Sequence, residues 1–160
     1  VADLVGNAVL VHGRQRVAAT GDGERLRLRD RARQRFRALA ERIELELHGS
    51  AQRLSALITH GSTERLNLQL GAEVFALIKA SWVNLLPADS TLLHAEPNHL
   101  TGNVHTLEPG ELESELQLEL PGGAHLTAML SNSQLSNRQL VSGEQVRVQI
   151  NPEQIILCSV

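Results

Sequence analysis

Aromatic side chains are nearly absent from this 160-residue chain, which has two Phe, one Trp and no Tyr. It therefore lacks the platforms on which bases of single-stranded nucleic acid stack. Cys158 is the sole cysteine, which excludes an internal disulfide and fits a reducing, cytoplasmic setting. No apolar run approaches the ~20 residues of a membrane-spanning helix, and no signal-peptide pattern opens the sequence at Val1. The seven histidines are scattered, without His-x-His spacing or a cysteine pair, so no metal centre is expected. A glycine-rich phosphate loop, a nucleophile elbow and a plausible catalytic triad are missing too, and the expectation is a binding protein rather than an enzyme. Lysine is as scarce as cysteine: Lys79 is the only one.

What the chain does contain, it contains twice. The segment with Ile43, Leu45, Leu47 and Leu54 to Thr59 is echoed by Leu116, Leu118, Leu120 and Leu126 to Ser131. From Leu54/Leu126 onward the offset is a constant 72 residues, carrying Ala56/Ala128, Gly71/Gly143, Val74/Val146, Ile78/Ile150, Val83/Ile155 and Leu85/Leu157. A period this long is a small domain rather than a solenoid unit. Alternating pairs such as Glu44-Leu45-Glu46-Leu47, short apolar runs and close turn signals mark each copy as a small β-barrel. Units of this size are marginally stable alone, so the copies are expected to pack on each other or on a second chain. The predicted organisation is an N-terminal extension or upstream remnant at 1–24, a first barrel at 25–86, a linker at 87–97 and a second barrel at 98–160.

Charge is close to balanced overall, at a net −3, but not locally. Seven of the fourteen arginines occupy every odd position from Arg25 to Arg37. In an extended chain this alternation places all seven on one face, either as a solvated basic surface or as a surface for an anion or acidic partner. Asn7 to Val11 looks like a short strand that matches neither repeat. A strand and turn stand before Leu116 in the second copy, whereas the first offers only residues 34–42, about eight residues too few. The favoured explanation is that residues are missing near Leu39 to Arg42.

The doubled pattern, with Ile58-Thr59-x-x-Ser62 and Ile78-Lys79-Ala80-x-x-Val83, resembles the molybdate-binding Mop (TOBE-like) domain in its tandem form. The arrangement over residues 25–160 is most similar to the C-terminal half of molybdate-responsive transcription regulators. The resemblance implies two OB-like barrels, a molybdate or tungstate ligand, a homodimer, and DNA contact only through a domain upstream of this chain. Free-standing molybdate storage proteins and the TOBE appendage of an importer ATPase share the pattern. The chemistry is consistent: a tetrahedral dianion offers only acceptors and needs hydroxyls, free N–H groups and a cation around it.

Carried residue by residue, the resemblance implies oxyanion contacts from Thr59, Ser62, Lys79, Ala80 and Ser81 of one chain. Ala32 and Arg33 would come from its partner, in a Ser-Ala-Arg-Asn motif that reads Arg31-Ala-Arg-Gln34 here. Thr59 and Ser62 serve equally well as helix caps. Lys79, at the end of a buried strand, is expected in a low-dielectric setting that strengthens its charge. In the second copy Asn151 stands where Lys79 would, followed by Pro152; Ser131, Ser133 and Asn98 are candidates for a weaker site.

Overall fold

Alternation of charged and apolar residues is what writes the strands. In the computed structural model, which describes residues 4–5, 8–15, 40–50, 52–88 and 98–159, the odd residues Ile43, Leu45 and Leu47 of Ala40–Leu47 are buried while their glutamate neighbours face outward. Glu113–Glu119 repeats the pattern with Ser114, Leu116 and Leu118 inward. Each such aliphatic side chain taken out of water contributes roughly 1.5–3 kcal/mol.

The first half runs β1 (Leu4–Val5), β2 (Ala8–Gln15), β3 (Ala40–Leu47), β4 (Arg53–Thr59), α1 (His60–Arg65), β5 (Glu73–Lys79), a 3-10 turn (Ala80–Trp82) and β6 (Val83–Leu85). The second runs β7 (His99–Glu108), β8 (Glu113–Glu119), β9 (His125–Ser131), α2 (Asn132–Leu135), β10 (Gln145–Ile150), a 3-10 turn (Pro152–Gln154) and β11 (Ile155–Ser159). Two antiparallel sheets result, in the orders β11-β5-β2-β3-β4, with β1 beside β2, and β6-β10-β7-β8-β9. The outer strands of each sheet approach one another, β11 against β4 and β6 against β9, so each sheet curls into a small OB-like barrel.

The last strand of each half belongs to the other barrel. Val83 pairs with Ile150 and Leu85 with Val148, whereas Ile155 pairs with Ile78 and Leu157 with Ala76. The 3-10 turns at Ala80–Trp82 and Pro152–Gln154 carry the chain across, the first packing on β9 and the second on β4. The turn at Ala80–Trp82 is therefore a crossing point between barrels. It is also the physical reason the halves need each other, since neither sheet has its full set of strands without the partner half.

Two expectations are corrected at the N-terminus. Residues 8–15, expected within an extension, lie in the first sheet between β5 and β3, the place β7 holds between β10 and β8. The strand that seemed lacking before Ile43 is thus supplied from earlier in the sequence, and β3 runs without interruption from Ala40. An unpaired gap there would have exposed two strand edges, which β2 covers. Residues 89–97 of the linker expected at 87–97, and the arginine ladder at 25–37, lie outside the described residues.

Polar contacts lock the halves together. Asn98, 1% exposed and at φ +72, accepts the Ser55 N–H at its Oδ1 and donates from Nδ2 to Ser55 O at 2.8 Å. Gln52 brackets Thr101 in the same way, accepting its N–H at 2.6 Å and donating to its carbonyl at 3.0 Å. The hairpin turns also meet: a Cβ built on Gly122, at φ +95, would lie 2.6 Å from Gly49 O. Gly122→Ala is accordingly expected to cost about 2 kcal/mol, from left-handed backbone strain plus displacement of the opposing turn. Urea unfolding measures this, with Gly123→Ala, which meets nothing within 4 Å, as the control for backbone strain alone.

Candidate functional site

The hydroxyl loop after β4 is built by helix capping. Thr59 is the N-cap of α1, its Oγ1 accepting the Ser62 N–H at 3.3 Å and standing 2.8 Å from Ser62 Oγ. One turn on, Arg65 donates from Nη2 to Ser62 Oγ at 3.2 Å and from Nε to Gly61 O at 3.2 Å. Two hydroxyls and a guanidinium are thereby gathered at one spot. They line a groove of about 380 Å³ whose other wall is the start of the exchanged strand, Ile155 to Leu157.

Lys79 ends the neighbouring strand. The register Ile155↔Ile78 sets Gln154 opposite Lys79, so one strand spacing of ~4.8 Å separates Lys79 from the strand that walls the groove. Lys79 itself is not among the residues that line the groove. The low-dielectric setting expected for Lys79 is not found in the single chain: the residue is exposed, with Nζ 5.8 Å from the centre of the Trp82 ring. Burial of Ile78 stops one residue short, because alternation turns Lys79 outward. Ala80 is 1% exposed, so only its backbone is available to a ligand, while Ser81 is exposed. Ala32 and Arg33 lie outside the described residues.

His60 sits beside Thr59 and pairs with Glu41 of β3 through Nδ1, with Glu64 Oε1 3.4 Å from Nε2. The hydrogen bond to Glu41, then its charge, raises the His60 pKa above its ordinary 6.5. For Glu41, burial pulls upward, but hydrogen bonds from His60 and Thr63 and the His60 charge prevail and lower it. A raised histidine stabilises the fold fully below pH 6.5, and that contribution fades as pH rises through the shifted value. An imidazole NMR titration should find His60 above 6.5, returning towards it in Glu41→Gln; an unchanged midpoint would contradict the pairing.

The second half keeps the cap and loses the charge. Ser131 caps α2, accepting the Gln134 N–H at 3.3 Å, while Gln134 Oε1 accepts the Ser131 N–H at 2.8 Å. Gln134 stands at the repeat position of Ser62, Asn137 at that of Arg65 and Asn151 at that of Lys79. Ser133, 2.9 Å from Ser131 Oγ, is one residue off the Ser62 position. Asn98, expected as a weak ligand, has its amide committed to Ser55 on both sides. Arg65 was not singled out by the sequence, because a basic residue in a last helical turn already complements the helix dipole; its three-residue spacing from Ser62 was the available signal. Among the described residues no group of three or more His, Cys, Asp or Glu is placed to hold a metal ion, and no helix is long and apolar enough to cross a membrane.

Comparison with known proteins bears on this geometry. The TOBE domain model matches the chain twice, at residues 35–85 and 95–157. A transcriptional regulator ModE from Yersinia pestis is 40% identical over 119 residues, which is 74% of this chain and 45% of that protein. The molybdenum-pterin-binding protein MopB of Rhodobacter capsulatus is 30% identical over a stretch covering 74% of this chain and 44% of its own. The chain thus spans less than half the length of these relatives. A crystal structure of the cytoplasmic molybdate-binding protein ModG with molybdate bound superposes with a TM-score of 0.77 at 27% identity, covering 94% of this chain and 95% of that one.

Proposed function

Since the chain belongs to the TOBE domain family, in a tandem arrangement, we propose that it binds molybdate or tungstate as an effector and catalyses no reaction. The carrying observation is the Thr59, Ser62 and Arg65 cluster at the groove, one strand from the chain's only lysine. A tetrahedral dianion accepts from all four: two hydroxyl donors, the guanidinium and the ammonium of Lys79. Ser81 and the backbone of Ala80 extend the donor set along the crossing turn. Arg65 donates to Ser62 Oγ and Gly61 O and has further N–H donors for the ion.

The exposure of Lys79 supports a shared site. A second copy of the chain, bringing Ala32 and Arg33 over the groove, removes water from the ammonium and strengthens its hold on the ion. A ligand gripped from two chains favours one arrangement of a homodimer over others, which is how binding becomes a signal. In this reading the protein works in the cytoplasm as the ligand-binding part of a molybdate-dependent transcription regulator, DNA being contacted by a domain upstream. The similarity to the Yersinia pestis regulator supports it. The near-complete overlap with ModG favours a second reading, free-standing molybdate storage, and an importer ATPase appendage is the third. A helix-turn-helix, or a Walker motif, in the gene upstream of Val1 separates them.

Calorimetric titration tests the shared premise. Molybdate and tungstate, nearly equal in size and charge, are expected to bind alike, and the smaller sulfate more weakly. Negligible heat for all three anions would overturn the proposal.

A further inference from the structure

Lys79 lies one strand from the groove rather than in its wall, so its ammonium serves a bound ion only if the side chain is directed. A lysine side chain is long and rotamer-rich, and fixing it opposes binding. Among the described residues the ammonium forms no hydrogen bond or ion pair, and the group it meets is the ring of Trp82, centred 5.8 Å from Nζ. An aromatic face within about 6 Å attracts a cation through its quadrupole, and indole does so best. A ring, unlike a carboxylate, holds the ammonium without cancelling its charge.

The turn gives that ring a fixed base. Trp82 is half-buried at the end of the 3-10 turn, beside buried Ala80 and Val83, and the turn packs on β9 of the second half. Lys79 is the N-cap residue of the same turn, yet its side chain makes no capping hydrogen bond. The second half replaces both members together: Asn151 and Gln154 stand at the repeat positions of Lys79 and Trp82. There the Asn151 side chain serves its own turn, its Oδ1 accepting the Glu153 N–H at 3.0 Å. The half that carries the cation is the half that carries the ring.

We infer that Trp82 is a positioning residue for the Lys79 ammonium, narrowing the places it occupies before an ion arrives. The inference rests on the reading that Lys79 holds an oxyanion. Trp82 brings no charge of its own and acts through Lys79. Because the turn is seated on β9, the second half supports the cation of the first without donating a ligand to it.

The test uses Trp82→Gln, which installs the residue that the second half has at this place, and Trp82→Phe, which keeps a weaker ring. In calorimetry Trp82→Gln is expected to bind molybdate about two- to fivefold more weakly than the native chain, with Trp82→Phe in between. In a Lys79→Ala background Trp82→Gln should change the affinity no further, since the ring then has no ammonium to hold. Lys79 is the only lysine, so isotope-labelled lysine gives one ε-methylene NMR signal, read without any ion. That signal should move towards its unfolded-chain position in Trp82→Gln, and partway in Trp82→Phe. An equal loss of affinity in the Lys79→Ala background, or a lysine signal that Trp82→Gln leaves in place, overturns the proposal. Full affinity in Trp82→Gln beside weak binding in Lys79→Ala overturns it too, while the oxyanion site stands. Negligible molybdate heat for the native chain removes the oxyanion reading and the proposal with it.

Discussion

Lys79→Ala is expected to weaken molybdate binding by roughly 30- to 150-fold, corresponding to about 2–3 kcal/mol for a charge-assisted hydrogen bond to a dianion. The loss should leave folding nearly untouched, because the side chain is exposed and ends a strand whose buried contacts come from Val74, Ala76 and Ile78. Calorimetry and thermal unfolding on the same preparation separate the two effects. Lys79→Arg should keep part of the affinity, the charge being retained but the reach and shape altered. Unchanged affinity in Lys79→Ala would move the site away from the crossing turn.

Ile155→Ala is expected to cost about 2–4 kcal/mol, the usual range for removing most of a buried isoleucine, and to loosen the barrel it does not belong to by sequence. Ile155 is 2% exposed and pairs with Ile78. Native-state amide exchange should therefore quicken along Arg53–Thr59 and Glu73–Lys79, the strands that flank β11. If each half closed on itself, the quickening would fall instead on Gln145–Ile150 and His125–Ser131.

The exchange was illegible in the sequence for the reason that makes the repeat so plain. Val83 and Ile155 occupy the same place in two copies of one pattern, so each edge is complementary to either strand. Local alternation fixes which face of a strand is buried, not which copy it joins. The direction of the turn at Ala80–Trp82 depends on contacts with β9 far along the chain. Thr59, Ser62, Ser131 and Lys79 could be read because caps and a lone lysine carry local signals. β2 could be read as a strand from Asn7 to Val11, yet its place could not: its counterpart β7 comes shortly before β8, whereas some 24 residues lie between β2 and β3. Asn98 reads as a polar ligand from its type alone. Only the fold reveals that its amide is spent joining the two halves.

The most direct measurement is an anomalous difference map from crystals grown with molybdate or tungstate, where the heavy atom locates itself. The strongest peak is expected within hydrogen-bonding reach of Thr59 Oγ1, Ser62 Oγ, Arg65 and Lys79 Nζ, with a second chain closing over it. A strongest peak beside Ser131 and Ser133, with the Thr59 groove empty, would contradict the assignment of the ion to the half that kept its cations.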